Sequence, residues 1–272
     1  IVRTGLNIQK GQSVIVQAGL DQPEFVQMVV EELYKAKASE VTVQWTYQPL
    51  TKLHYRYQTV KNLGTLKDWE MARQEHYCET LPARVLLMSD DPDGLKGVNM
   101  AKMTKAQQML YPVVKGYRDR RDNRDQWCIA AVPGKAWAKK VFPGMRTSQA
   151  VEKLWELILD CARVDDDPIA AWQEHNRHLT ERSAWLNSLR LRRLFYRSEL
   201  SGTDLSVGLM PQMRFRGGCD ERDGMAVLFN ANIPSEEVYT TPMKGDAEGI
   251  VHATMPLAYR GVLIENFWLE FK

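Results

Sequence analysis

Apolar positions in the first half of the chain follow two alternating spacings. Short apolar runs at residues 13–17, 41–45, 84–88 and 127–132 predict β-strands, and the stretches between them repeat apolar residues at helical spacing. A strand, a helix and a strand within roughly thirty residues form a βαβ unit, which implies parallel strands. The alternation therefore predicts an α/β layer domain over residues 1 to about 135.

Helical spacing continues through residues 135–190. Thr147 is expected to cap one helix, and the three aspartates at 165–167, followed by Pro168, are typical of a cap with proline at the first helical position. A metal site at the aspartates is the alternative, but capping and the helix dipole account for them more simply. We therefore expect a helical extension here and no metal.

The pattern changes after about residue 195. Glycines cluster and apolar residues recur at every second position, which predicts short strands in a β-rich region. The strand-like pieces are residues 203–209, 214–218, 225–229, 249–254, 261–264 and 266–271. We expect two domains: residues 1–195 as an N-terminal α/β domain with its helical extension, and residues 196–272 as the β-rich region.

Composition and charge narrow the classes of partner. The chain of 272 residues is 44% hydrophobic and 26% charged, as in soluble globular proteins, and its formal net charge is only +2. Basic clusters lie at residues 118–124 and 190–197, and the first is interleaved with aspartates, which is typical of a salt-bridged helix face. We therefore expect no nucleic-acid partner. Binding of nucleic acid through a basic face is kept as a weaker alternative hypothesis.

Cysteines and apolar runs bear on the compartment. The four cysteines are widely spaced and form no CxxC pair, which favours free, mostly buried thiols in a reducing compartment. No apolar run approaches the ~18 residues that span a bilayer, and no signal peptide is recognisable. We expect a cytoplasmic protein without membrane association. Because the sequence opens with Ile1 inside a structural element, we also expect that Ile1 is not the natural first residue.

The stretch from Asn232 to Pro242 carries the clearest candidate chemistry. Glu236 and Glu237 are adjacent there, and in an extended chain neighbouring side chains point to opposite faces, so that one of them can enter an interior site. Carboxylate oxygens suit divalent cations, and a bound metal would offset the cost of desolvating an acid. An exposed glutamate pair at a strand edge is the alternative that composition favours.

A search for other active-site patterns finds no complete set of catalytic residues. The chain has no Gly-x-Gly-x-x-Gly, no Walker loop, no Gly-x-Ser-x-Gly elbow and no His-Glu-x-x-His helix. His175 and His178 are three residues apart on a predicted helix and could share a face as metal ligands, but two histidines do not complete a site. An exposed polar face is the favoured interpretation of this pair. His54, His76 and His252 are isolated and receive no role.

Four blocks of residues, the last of which contains the two glutamates, occur in a recognisable order: residues 131–144 (AVPGKAWAKKVFPG), 167–176 (DPIAAWQEHN), 202–209 (GTDLSVGL) and 232–240 (NIPSEEVYT). Together they resemble the M29 family of metal-dependent aminopeptidases, the thermophilic aminopeptidase or AmpS type. Residues 4–8 (TGLNI) match as well, whereas residues 46–125 match more loosely. Four ordered blocks are far more specific than any single motif in the chain.

The resemblance implies an exopeptidase that releases N-terminal residues from peptides with two divalent ions, typically zinc, cobalt or magnesium. It also implies a homodimer whose sites face an internal cavity. In the family the second glutamate of a Pro-Thr-Glu-Glu motif ligates metal, which carries over to Glu237, with Ser235 in the threonine position. Glu236 would then support the ligand or be structural. Two ions would turn a shared water into hydroxide near neutral pH and polarise the scissile carbonyl.

The family's remaining ligands lie beyond the residues of this chain. A bridging glutamate, two histidines, an aspartate and the active-site tyrosine of the family all follow the position matched by Lys272. We therefore expect residues 196–272 to be the truncated start of the metallopeptidase domain and the chain alone to be inactive. Phe267, Trp268 and Phe271 in an unfinished sheet favour a fragment of a longer enzyme. A non-catalytic scaffold or binding relative of the family is the alternative hypothesis.

Overall fold

The computed structural model describes residues 1–259 and 262–272. A π-helical turn, Val2–Leu6, opens the chain. The α-helices in chain order are α1 (Pro23–Lys35), α2 (Gln48–Tyr57), α3 (Val60–Leu63), α4 (Asp68–Thr80), α5 (Met100–Arg121), α6 (Lys135–Val141), α7 (Thr147–Cys161) and α8 (Pro168–Ser188). The strands are β1 (Ser13–Gly19), β2 (Glu40–Thr46), β3 (Ala83–Met88), β4 (Trp127–Ala131), β5 (Arg193–Ser198), β6 (Thr203–Leu209), β7 (Arg216–Gly217), β8 (Asp220–Arg222), β9 (Val227–Phe229), β10 (Asn232–Ile233), β11 (Val238–Tyr239), β12 (Pro242–His252), β13 (Leu257–Tyr259), β14 (Val262–Ile264) and β15 (Trp268–Phe271).

The chain divides into two compact units. The first comprises Ile1–Ile169 and Cys219–Pro234, and the second comprises Ala170–Gly218 and Ser235–Lys272. The predicted fold class is confirmed, because a five-stranded parallel sheet is accompanied by separate antiparallel sheets. The division into folding domains at residue 195 stays a prediction.

The first unit is built on a parallel sheet with the strand order β10-β4-β3-β1-β2. The strands predicted from the apolar runs are confirmed as β1 to β4. The fifth strand, β10, was not predicted, because two residues are too few to show a period. It places Asn232 opposite Ile129 and Ile233 opposite Ala130 of β4. The beginning of the Asn232–Thr240 block is therefore an edge of the parallel sheet.

The two faces of this sheet differ in polarity. Alternate residues of β1, β3 and β4 are almost completely buried on one face: Val14, Val16, Ala18, Val85, Leu87, Cys128 and Ala130. Burial raises the pKa of the Cys128 thiol to about 12, so this cysteine is a core residue and not a nucleophile. The opposite face carries polar side chains, including Gln17, Gln44 and Arg84.

The helical stretch predicted over residues 135–190 is confirmed as α6, α7 and α8. Pro168 is the first residue of α8, as expected. The capping prediction for Thr147 is wrong, because Thr147 is itself the first helical residue and the N-cap residue, Arg146, makes no side-chain cap hydrogen bond. The backbone N–H of Asp167 donates to Asp165 Oδ1 at 3.2 Å, so these aspartates form a local turn before α8.

The second unit contains an antiparallel sheet with the order β15-β12-β6-β5. The strand predicted at residues 203–209 is confirmed as β6, and the piece at 249–254 is the end of the longer strand β12. The piece at 214–218 shortens to β7, and that at 266–271 shortens to β15. β5 was not predicted, because its arginines indicated a basic cluster and not a strand.

Two further predicted strands lie at residues 225–229 and 261–264. The piece at residues 225–229 corresponds to β9, which pairs antiparallel with β8 within the first unit. The piece at 261–264 begins at Gly261, which lies outside the described residues, and the rest of it is β14. Trp268 and Phe271 of β15 are exposed, whereas Phe267 is half-buried.

Burial differs among the four cysteine thiols. All four cysteines are free; Cys78 and Cys128 are buried, Cys219 is half-buried and Cys161 is exposed, so the thiols are less uniformly buried than expected. None of the helices in the described ranges combines the length and the apolar character that crossing a bilayer requires.

Candidate metal centre

The two glutamates of the Asn232–Thr240 block lie directly before strand β11. Both side chains are exposed, and that of Glu236 is 62% accessible to solvent. The expectation that one of them enters an interior site is therefore not met by the described residues. The exposed pair corresponds to the alternative that composition favoured, but its backbone is held more firmly than that of a simple surface loop.

Pairing with β7 holds the backbone that follows Glu237. β11 and β7 are antiparallel, with Val238 opposite Gly217. A Cβ atom at Gly217 would lie 2.9 Å from Val238 Cγ2 and 3.0 Å from the carbonyl oxygen of Glu237, which is closer than a side chain tolerates. The Thr240 hydroxyl donates to the Arg214 carbonyl at 3.0 Å. The absence of a side chain at Gly217 thus lets the Glu237 backbone lie directly on the neighbouring strand.

Helix α8 holds the backbone that precedes the glutamates. His175 Nε2 lies 2.6 Å from the Ser235 carbonyl oxygen, and because a carbonyl only accepts, Nε2 carries the proton and donates. The same nitrogen lies 3.8 Å from Glu236 Oε2. The Trp172 ring meets the imidazole edge-on with 5.6 Å between the ring centroids, which fixes the ring's orientation. His175 therefore anchors Ser235, two residues before Glu237.

An exposed polar face was the favoured interpretation of His175 and His178, and it holds for His178 alone. His178 is exposed and lies 2.9 Å from Glu174, as a surface residue would. His175 is only 9% exposed, and it shares a buried stripe of α8 with Trp172, Leu179 and Ser183. His178 lies only about 60° around the helix axis from His175, at the exposed edge of the buried stripe. The Nε2 atoms of the two histidines contact different partners, Glu174 for His178 and the Ser235 carbonyl for His175.

A complete metal site is not assembled by the described residues. Within residues 1–259 and 262–272, no group of three or more His, Cys, Asp or Glu side chains is arranged to hold a metal ion. The Nε2 atom of His175 is a donor to Ser235, so it offers no lone pair to a metal. Glu237 fits one ligand position, since its carboxylate is exposed on a fixed backbone, but it does not form a centre alone.

Comparison with known proteins identifies the family. The family model described as thermophilic metalloprotease (M29) matches residues 1–272. The chain belongs to the M29 family. The relatives of this M29 chain include aminopeptidase AmpS of Bacillus subtilis, 34% identical over 273 residues, and aminopeptidase T of Thermus thermophilus, 34% identical over 276 residues. The family resemblance predicted from the four blocks is thereby confirmed.

A solved structure resembles the M29 chain over its whole length. It is wild-type AmpT from Thermus thermophilus, with a TM-score of 0.87 and 34% sequence identity. The match covers 100% of this chain and 66% of that chain. The chain likewise spans 66% of the length of AmpS and of aminopeptidase T, which is slightly less than two thirds.

The sequence contained signals for only some of these site residues. Glu237 was found because its block matches a family motif, and this assignment stays a prediction. The anchoring role of His175 was missed, although Trp172, His175 and Leu179 are spaced by three and four residues, as on the buried stripe of a helix. Gly217 could not be found, because no local pattern shows which backbone will lie against a glycine.

Proposed function

We propose that this M29 chain is part of a metal-dependent aminopeptidase that releases N-terminal residues from peptides. The observation that carries the proposal is the position of Glu237, an exposed carboxylate in the family's glutamate motif, on a backbone held by β7 on one side and by His175 on the other. The names of the relatives, which are aminopeptidases, support the reaction class.

We assign Glu237 as one metal ligand and Glu236 as its supporting neighbour. The remaining ligands that the resemblance implies are a bridging glutamate, two histidines and an aspartate, and the described residues supply no group of three. The resemblance supports two divalent ions per site, zinc, cobalt or magnesium. It also supports peptide substrates and a homodimer. The widely spaced cysteines without a CxxC pair favour a cytoplasmic location. What the chain itself contributes is the orientation of one carboxylate, through the Ser235 anchor and the Gly217 contact.

A second candidate function is a non-catalytic scaffold or binding relative of the family. The observation that favours it is the lack of a three-ligand group in the described parts of the chain. The two candidates differ in one respect that can be measured, since only the enzyme requires bound metal for its activity.

The test uses the complete gene product that contains this chain, with Glu237→Ala and with Glu236→Ala as the matched control. Metal content after dialysis is measured by mass spectrometry, and release of the N-terminal residue from a short peptide is measured with added zinc, cobalt or magnesium. Glu237→Ala is expected to lower metal affinity and turnover by at least about 100-fold, since a direct ligand should cost more than the roughly 10–100-fold lost with supporting residues. Glu236→Ala should lose clearly less.

Two results would contradict the proposal at different points. Normal metal content and turnover in Glu237→Ala would refute the ligand assignment and leave the aminopeptidase activity intact. A wild-type protein that binds no metal and releases no amino acid with any of the three ions would favour the scaffold hypothesis.

A further inference from the structure

The face of the parallel sheet opposite its apolar core is polar at neighbouring positions. Gln17 of β1 lies opposite Gln44 of β2, and Arg84 of β3 lies opposite Ile15 of β1. Because residues two apart on a strand share a face, the three polar side chains lie on the same side of the sheet. Parallel sheets are usually covered by apolar side chains on both faces. Core packing therefore does not explain these residues.

A cavity of about 240 Å³ lies over this polar face. Besides the sheet, its wall is formed by Gln74 and Tyr77 of α4 and by Arg121 at the end of α5. Trp127 and Ile129 of β4 supply an apolar part of the lining. A cavity needs a volume of only about 10–15 Å³ to hold one water molecule, so this cavity has room for a small molecule.

One of the two arginines in the cavity wall is already neutralised. Arg84 donates to Asp125 through two parallel hydrogen bonds, Nε to Oδ2 at 2.8 Å and Nη2 to Oδ1 at 3.0 Å. The Asp125 side chain is only 2% exposed, and both of its carboxylate oxygens are engaged in this pair. Its charge is thus committed to Arg84.

The second arginine lacks such a partner. Arg121 is 8% exposed, and its Nε has no hydrogen-bond partner among the described residues. Burial, followed by the nearby charge of Arg84, lowers the pKa of Arg121, and the Asp125 carboxylate opposes this shift. Two guanidinium groups and one carboxylate leave the wall with a net positive charge. A buried charge without a partner is costly, which points to a missing anion.

The neutral polar groups of the cavity lining can also donate hydrogen bonds to an anion. Gln44 Nε2 donates to the Tyr77 hydroxyl oxygen at 2.8 Å. The hydroxyl proton of Tyr77 remains able to donate to a ligand oxygen. The amide of Gln74 adds another potential donor to the lining. Donors of this kind complete the hydrogen bonds of an oxyanion that a single guanidinium leaves unsatisfied.

We propose that this cavity binds a small oxyanion, the carboxylate or phosphate group of a small polar molecule, with Arg121 as its principal partner. The planar guanidinium group offers two parallel N–H donors to either kind of anion. The proposal does not depend on the function proposed for Glu237, because none of the cavity residues belongs to residues 232–240.

The test measures binding of inorganic phosphate and of succinate to the complete gene product by isothermal titration calorimetry at constant ionic strength. Arg121→Leu is compared with Arg118→Leu, which removes the same charge from an exposed position on the same helix. We expect saturable binding of one probe to the wild type, at least about tenfold weaker binding to Arg121→Leu, and binding to Arg118→Leu within about twofold of the wild type. The probe that binds more tightly identifies the ligand as a phosphate or a carboxylate.

A second variant covers the case in which Arg121→Leu does not fold. Arg121→Lys keeps the charge but lacks the planar fork, and it should weaken binding while retaining the melting temperature of the wild type. The proposal is overturned if neither probe binds the wild type at millimolar concentration, or if the variants at positions 121 and 118 bind alike. It is also overturned if Arg121→Leu raises the melting temperature by the same amount with and without anion, since the cavity would then hold only a hydrated guanidinium group.

Discussion

At the scale of single residues, the link between His175 and Ser235 is the contact that positions the glutamate motif. The imidazole is buried, held by Trp172, and donates to a carbonyl two residues before Glu237. A shift of this carbonyl would move the Glu237 carboxylate, and His175 Nε2 is already engaged by Ser235, so we place His175 outside the proposed ligand set. His175 is therefore a positioning residue within the proposed function.

His175→Leu is expected to weaken metal binding to the complete protein by about 10–100-fold, the range typical of residues that orient a ligand. Loss of the N–H donor also leaves the Ser235 carbonyl without its partner, at a cost of about 1–3 kcal/mol in stability. Metal dissociation constants from competition with a chelator, measured beside the melting temperature, separate the two effects.

His175→Gln is the matched control, because its Nε2 keeps an N–H donor at a similar distance from the helix. It should recover most of the metal affinity. Equal losses of stability in both variants, with unchanged metal affinity, would show that His175 serves the fold alone.

Single residues also show where sequence patterns are informative. Pro168 was placed correctly at the start of α8, since a proline at the first helical position is a strictly local signal. Thr147 was misplaced by one position as a cap, because helix ends depend on the packing of the following turn. The burial of Arg121 had no local signal at all, since its neighbours in sequence are charged and exposed.

At the scale of elements, strand β12 of the second unit requires a glycine at one position. It pairs with β6 and β15, and its register with β6 shifts between Pro242 and Ala247. Gly249 lies in this strand at φ 115°, and a Cβ there would lie 2.1 Å from the Asp204 carbonyl oxygen. Only glycine lets the two strands approach this closely.

Gly249→Ala is expected to lower the free energy of unfolding by about 1–3 kcal/mol or more, because backbone strain adds to the clash with β6. Gly116→Ala in helix α5 is the control, since nothing lies within 4 Å of its added Cβ and alanine favours the helix by about 1 kcal/mol. Urea unfolding followed by circular dichroism measures both. Equal effects of the two substitutions would contradict the strain at Gly249.

Elements with a period of their own were predicted well, and those without one were missed. β1 to β4 and β6 have apolar runs or alternation, and each was placed within a few residues. β10 and β11 have two residues each, so their pairing is decided by partners far away in the sequence. The Asn232–Thr240 block was recognised by its amino-acid sequence, but the sequence did not show that its first two residues form an edge strand of the parallel sheet.

At the scale of the whole molecule, each basic cluster contains an arginine that pairs with an acid from another element. Arg120 pairs with Glu75 at 2.6 Å, and Arg193 pairs with Asp246. The interleaved aspartates were expected to supply the partners, but Arg120 takes its acid from another helix. With a net charge of +2, no strong field for a polyanion results.

This chain is accordingly expected to elute from a heparin column below about 0.15 M salt, the physiological ionic strength. Glu75→Lys should elute later, because it removes the partner of Arg120 and adds a positive charge beside it. Retention of the wild type at higher salt, with a steep dependence of binding on salt, would support the nucleic-acid hypothesis instead.

The sequence by itself determined the strand and helix alternation of the first half of the chain, its parallel α/β character and the membership of the M29 family. These follow from local periodicity and from ordered blocks of residues, both of which are present before folding. Only the tertiary structure decided that Asn232 lies beside Ile129, that His175 holds Ser235 and that Arg121 is buried near an arginine already paired with Asp125. Each of these depends on register and packing between segments distant in sequence, which no local pattern specifies.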